Sequence, residues 1–168
     1  MQLSSRQIKG LILILLLSSP WLLCQAWIAT SAPDEVWTTM PLCPESSGNC
    51  AHLGGEADYR MDGEFTLTLN QSAEEVWNAL QQYIDDSGAE VLYEAKQESG
   101  ESYTHLVERT VFWRFPDDVA VHITVIDETT CSLELHSQSR IGGIDMGINP
   151  ARLEGLYDAL TALSLIHI

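Results

Sequence analysis

Arg140, Asp145 and Arg152 fall within the fourteen residues Ser139–Arg152, together with Gly142, Gly143, Gly147 and Asn149. Guanidinium forks bind carboxylates and phosphates bidentately. Glycines let backbone approach a ligand closely. The stretch therefore reads as an anion or polar-ligand site made from Arg140, Arg152 and backbone amides at the start of a helix. Asp145 would sit near the positive end of that helix, where a carboxylate is favoured. Arg109 and the pair Asp117-Asp118 complete the candidate cluster, and two adjacent carboxylates suit acid/base work or cation binding. The plainer alternative is an internal Arg–Asp network that pins the loop to a Pro116-Asp117-Asp118 turn, with Asp117 bonded to its own backbone.

Other reactive residue types form weaker patterns. His52, His105, His122 and His136 are scattered, and no two have helical metal-ligand spacing. His122 and His136 fall on adjacent strands of the expected sheet and could meet there, but an ordinary strand histidine is the simpler reading. The chain has no Gly-x-Ser-x-Gly, phosphate loop, dinucleotide fingerprint or HExxH. Ser139 has no histidine assigned as its base. Neither a metal nor a cofactor is expected. Trp77, Trp113 and Tyr83 read as core packing.

Cys43 and Cys50 bracket a turn-rich loop, Leu42-Cys43-Pro44-Glu45-Ser46-Ser47-Gly48-Asn49-Cys50. A disulfide, two free thiols or a metal pair with His52 would each fit, and the turn-rich loop favours the disulfide. Cys131 sits in an apolar strand-like run and reads as a buried, inert thiol.

The elements that must position these groups follow from patterning. Arg6 and Lys9 precede an apolar run from Gly10 to Ile28. Such a run reaches roughly 28 Å as a helix, close to the hydrocarbon thickness of a bilayer. A retained anchor, a cleaved signal peptide and a lipoprotein signal all start this way, and the length favours the anchor. The positive-inside rule directs the rest of the chain to the exterior, a compartment where disulfides persist. Residues 29–62 lack periodicity and read as a linker carrying the Cys43/Cys50 loop. Over 63–165 a folded domain is expected. Phe65, Leu67 and Leu69 alternate as in a strand, and Ser72-Ala73-Glu74-Glu75 is a capping box. Val76, Ala79, Leu80, Tyr83 and Ile84 recur at helical spacing up to Gly88. Strand-like runs follow at 89–95, 103–112, 118–126 and 131–139. Asn149 as N-cap and Pro150 at the first position open a final helix with Leu153, Leu156, Tyr157, Leu160 and Leu163 on its apolar face. The expected fold is α+β: a single antiparallel sheet of about five strands with two main helices on one face, β-α-β-β-β-β-α, preceded by the hydrophobic helix. That order is similar to a helix-grip or TATA-binding-protein-like layout.

Charge narrows the partners. The chain has 168 residues, 24 acidic against 8 basic, a formal net charge of −16. Without Arg6 and Lys9 the remainder carries six cations against 24 anions, a net −18. So acidic an exterior excludes a phosphate-tracking nucleic-acid binder and a polybasic membrane-surface protein. The 45% apolar content and five Trp exclude a disordered chain. The final Ser164–Ile168 resembles translated sequencing-adapter read-through, so His167 carries no expectation.

Three segments together resemble a known family. The loop 42–50, Phe115-Pro116-Asp117-Asp118-Val119 and Ser139–Arg152 are similar to the CPxxPNC loop, the Phe-x-Asp-Asp-Val segment and the SRxGxxDxGxNxxR signature of the domain of unknown function 1499 family. Gly48 stands where that family usually has Pro, and Ala51-His52 where it often has Ser-Ser. The resemblance spans roughly residues 40–163. It implies a protein often exported or anchored, mostly bacterial or plastid-related, with no established activity. It therefore implies positions to test and no reaction.

Three functions fit: a membrane-tethered, non-catalytic module binding a protein or cell-envelope component; a carrier of an apolar or amphipathic ligand; and an enzyme using the Asp/Arg cluster. An apolar cavity under the last helix would mark the carrier. Free polar groups converging on an open cleft would mark the enzyme. The same groups paired with one another would leave the tethered module, exterior (periplasmic) and membrane-bound through its first helix.

Overall fold

A computed structural model describes residues 4–162, so Leu163 and His167 lie outside the described residues. Helix α1 spans Ser5–Ser31, α2 Ala73–Ser87 and α3 Ile148–Thr161. The strands are β1 (Cys50–Leu53), β2 (Thr68–Leu69), β3 (Glu90–Lys96), β4 (Ser102–Arg109), β5 (Pro116–Val125) and β6 (Cys131–Ser139). All six form one antiparallel sheet in the order β1-β6-β5-β4-β3, with β2 also on β6.

The α+β expectation stands, with six strands rather than about five. The additional strand is β1, which lies in the segment 29–62 and pairs with β6 through Ala51↔Ser137 and His52↔His136. The alternating run Phe65–Leu69 is extended for only two residues as β2, although the Leu67 carbonyl also accepts from Leu133 N–H.

The capping box operates as expected. The Ser72 hydroxyl accepts from Glu75 N–H and the Glu75 carboxylate accepts from Ser72 N–H. Gly88 closes α2 at φ 66°, a left-handed conformation that glycine adopts without a Cβ penalty. The start of α3 differs from expectation. Its N-cap is Gly147, in the left-handed region with φ 84°, so Asn149 and Pro150 lie inside the first turn. Asn149 leaves the capping role because its side chain is bonded across to β6 and to the Cys43–Cys50 loop.

The helices cover one face of the sheet. Val76, Leu80 and Ile84 of α2 and Leu153, Leu156 and Leu160 of α3 pack on Leu53, Leu106, Val119, Val121, Ile123, Leu133 and Leu135. Each fully buried leucine in that set contributes about 1.5–3 kcal/mol. Successive strand residues face opposite sides, so the other face carries His52, His105, Asp118, Ala120, His122 and His136. The segment after α1 covers it: Trp37 stacks on His105 with ring centroids 4.5 Å apart, and Tyr103 Oη donates to the Thr39 carbonyl at 2.9 Å.

At 27 residues, α1 is long and apolar enough to cross a membrane.

Candidate functional site

Asp117 and Asp118 are neighbours in sequence and lie on opposite faces of the sheet. They belong to β5, paired with Glu108 and Val107 of β4 on one side and with Ser139 and Gln138 of β6 on the other. The strand expected from Asp118 is present, and the turn expected at Pro116-Asp117 is replaced by an earlier start of that central strand. Two flanking ladders outweigh the local turn preference of Pro and Asp. The candidate cluster consequently divides into two networks.

Under the helices, Arg152 is enclosed by acceptors. Its Nη2 donates to Asp117 Oδ2 at 2.5 Å, its Nε to Glu108 Oε2 at 2.9 Å, and its Nη1 to Asn149 Oδ1 at 2.8 Å and Ser137 Oγ at 3.1 Å. Tyr83 Oη donates to Glu108. Burial, together with that hydrogen bond, raises the Tyr83 phenol well above its ordinary value.

Asn149 carries the same network onward. Its Nδ2 donates to the Asn49 carbonyl at 2.9 Å, to Ser139 Oγ at 3.0 Å and to Asp145 Oδ2 at 2.8 Å. Asp145 in turn accepts a bidentate pair from Arg60, at 2.6 and 3.1 Å, and the backbone N–H groups of Gly147 and Asn149 at 2.9 and 3.3 Å. Burial alone would raise the Asp145 carboxyl. The Arg60 guanidinium and those N–H donors outweigh it and bring the group down to about 2. The amides at the start of α3 thus bind an anion, and that anion is the chain's own Asp145.

On the opposite face, Arg140 holds Asp118 through Nε at 2.8 Å and Nη2 at 2.6 Å, and its Nη1 reaches Asp34. His105 Nδ1 accepts from Trp37 N–H at 3.0 Å, so its Nε2 carries the proton and donates to Asp118 Oδ1 at 2.8 Å. Burial pushes the Asp118 carboxyl up, while Arg140 and His105 together hold it below its ordinary value. Arg109 is farther out, paired with Glu90 at 2.7 Å and reaching Asp34 at 3.5 Å. The cleft beside Asp118 and Arg140 measures about 270 Å³ and is lined by Trp37, Asn49, Gln138 and Ser139 among others.

His122 and His136 share this face but do not meet. His122 lies 3.1 Å from Glu101 and 3.6 Å from Glu134. His136 instead meets His52, with Nδ1 atoms 3.2 Å apart, and its Nε2 lies 3.4 Å from Cys50 Sγ. Burial, followed by the neighbouring His52, brings the His136 imidazole down to about 4, so it is neutral at pH 7.

Cys43 and Cys50 form a disulfide with Cα atoms 5.7 Å apart. The ligand atoms of Cys43, Cys50 and His136 lie within 4.8 Å of one another. Because both sulfurs are spent on each other, the trio offers no thiolate to a metal in this state. Cys131 is buried, and burial raises its thiol to about 11. The disulfide loop is sewn to the glycine-rich segment. Gly48 forms a parallel bridge with Ile144, Asp145 N–H donates to the Gly48 carbonyl at 2.9 Å, and Asn49 Nδ2 donates to the Ser139 and Gly142 carbonyls. A Cβ at position 48 would lie 2.7 Å from the Gly143 carbonyl oxygen, so in this loop a larger residue would have to displace that backbone. Replacing Cys43 and Cys50 together by alanine is expected to cost ~2.5 kcal/mol from loop-closure entropy. Thermal unfolding of wild type and variant checks this. An unchanged midpoint would mean that the hydrogen bonds alone hold the loop.

Arg60 was absent from the expected cluster. It sits at φ 55° in an irregular stretch, 85 residues from its partner. With only six cations outside the leader, a search for the acid opposite each one would have flagged it.

No curated protein matches the chain. Among solved structures it is similar to norcoclaurine synthase from Thalictrum flavum, with 11% sequence identity and a TM-score of 0.38 over 81% of this chain and 100% of that one. A likeness that slight carries no argument. The family model described as "Protein of unknown function (DUF1499)" matches residues 39–160, which hold the disulfide loop, β5 and the glycine-rich segment. The chain belongs to the DUF1499 family.

Proposed function

We propose that this protein is a membrane-tethered, non-catalytic module whose domain stands on the exterior (periplasmic) face and binds a protein or lipid-like component of the cell envelope. The observation that carries the reading is that the motif's charged groups are spent on one another. Asp117 is matched by Arg152, Asp118 by Arg140 and His105, and Asp145 by Arg60. A general base or nucleophile needs a group free to meet substrate. Leu153, Leu156 and Leu160 of α3 are packed into the core, so a carrier would have to use the open cleft of about 640 Å³ between α2 and α3, lined by Ala79, Tyr83, Ala159 and Ala162 among others. Arg6 and Lys9 at the start of α1 favour an exterior domain, and the disulfide suits an oxidising compartment.

Native purification from membranes, with mass spectrometry of the chain and of what accompanies it, tests this. The expected result is a chain retaining α1, recovered with an envelope protein or lipid in fixed proportion. A processed, soluble chain that turns over a small substrate would overturn it.

A further inference from the structure

The loop joining β4 to β5 exposes three large apolar side chains in succession: Val111 at 98%, Phe112 at 65% and Trp113 at 40%. In a chain this acidic, such a run at a hairpin tip is a fault in solubility unless something apolar receives it. The tip itself is well built. Thr110 N–H donates to the Phe115 carbonyl, Arg114 N–H to the Thr110 carbonyl, and Phe115 N–H to Thr110 Oγ1. It lies against α1, with Trp27 and Phe115 rings edge-on at 6.5 Å.

Two hydrogen bonds indicate what receives it. Trp21 Nε1 donates to the Phe112 carbonyl at 2.9 Å, and Gln25 Nε2 donates to the Trp113 carbonyl at 2.8 Å. Backbone entering hydrocarbon must have its carbonyls satisfied by protein, because no water is there to do it. Gln25 is also the one amide side chain between Gly10 and Ile28, and it is used on this loop. Depth agrees. Trp21 precedes Ile28 by seven residues, roughly 10 Å along the helix, so the tip meets α1 below the outer end of the apolar run. That is the depth at which interfacial apolar side chains sit, about 5–10 Å into the headgroup and acyl boundary. Arg114 follows at φ 60°, exposed and without an ion pair among the described residues. It borders a cleft at the upper end of α1 lined by Ile28, Pro33, Asp34 and Arg109 among others; Asp34 is neutralised there by Arg109 and Arg140, so a lipid phosphate would meet Arg114.

We infer that the β4–β5 tip is a second membrane contact: Val111, Phe112 and Trp113 enter the outer leaflet beside α1 while Arg114 stays at the phosphate level. This rests on α1 being a retained membrane helix. It adds that the domain is held against the bilayer at a fixed tilt and does not hang from a free tether.

The test places nitroxide labels on the full chain in phosphatidylcholine vesicles, in a Cys24→Ser background. Labels go at Val111→Cys, at Leu17→Cys within α1, and at Glu98→Cys on the distant β3–β4 turn. Collision with dissolved oxygen and with a water-soluble nickel chelate reads their depth. The expected pattern is that the labels at 111 and 17 are both reached by oxygen and shielded from nickel, whereas the label at 98 is reached by nickel. A label at 17 shielded from nickel with one at 111 as open as the one at 98 would overturn the tip contact and leave the anchor intact. A label at 17 open to nickel would overturn the anchor itself, and the tip contact with it.

Discussion

Replacing Arg152 by methionine is expected to destabilise the domain by about 3–5 kcal/mol, the usual cost of removing one partner of a buried ion pair. For a domain of this size that shifts the unfolding midpoint by on the order of 10 °C or more. The magnitude follows from what the guanidinium leaves behind. Its side chain is 9% exposed and faces Asp117 at 4% and Glu108 at 19%. Without Arg152, two carboxylates would share a space between sheet and helices with no cation to offset them. Ser137 and Asn149 would lose a shared donor as well. Methionine fills the volume and supplies none of the charge. Arg152→Lys keeps the charge but not the fork, and an intermediate loss is expected. Asp117→Asn added to Arg152→Met should recover part of the deficit by removing one of the stranded charges. Chemical unfolding of the four proteins measures it. A loss below about 1 kcal/mol would place Arg152 among weak, solvent-screened pairs and contradict its enclosure.

The second large effect is a loss of stability in mild acid, with His136 as its source. His136 is fully buried and faces the histidines of two other strands, His52 and His105, with Asp118 on β5, the edge of Trp37 and the disulfide around it. Its folded value of about 4 lies below the ordinary 6.5. Between those two values the unfolded chain takes up a proton at this position that the folded chain refuses, so falling pH favours unfolding. The stability at stake is complete above pH 6.5 and is lost progressively down to about pH 4. It amounts to roughly 2–3 kcal/mol between pH 7 and 4.5. The lowered carboxyls act in a different window. Asp145, at about 2, and Asp118, also lowered, stabilise above the ordinary carboxylate range and lose that contribution only as pH falls below about 4. Melting temperature followed from pH 7 to 4.5 should therefore slope steeply in wild type. In His136→Gln it should start lower and run flatter. Equal slopes would assign the acid sensitivity elsewhere.

What could be read from sequence was what neighbouring residues decide. Ser72 and Glu75 are three positions apart and cap each other, and Gly88 ends the same helix by its own conformational freedom. The strand runs at 131–139 and 89–95 were visible as patterns because each carries its own apolar alternation. Features set by partners distant in sequence leave no local signal. Pro116-Asp117 has the composition of a turn, and only the ladders from Glu108 and Ser139 to Asp117 make it part of the strand. β1 is four residues long, and its pairing with β6 spans more than eighty residues, so no local signal marks it. Asn149 has the chemistry of an N-cap, yet Ser137, Asn49 and Arg152 claim its side chain. Trp113 has the size and apolarity of a core residue, but a hairpin tip beside an apolar helix leaves it 40% exposed.

The motif's charged residues form two separate scaffolds, one on each face of the sheet, and do not converge on one site. Double-mutant cycles in unfolding free energy test it most directly, using Asp118→Asn with Arg140→Gln and Asp118→Asn with Arg152→Gln. Residues in one network couple by about 0.5–3 kcal/mol, whereas independent sites add to within about 0.5 kcal/mol. The structure predicts strong coupling within the Asp118–Arg140 pair and additivity between Asp118 and Arg152. Coupling of the same size in both cycles would contradict it, because it would mean that the two arginines serve a single shared centre.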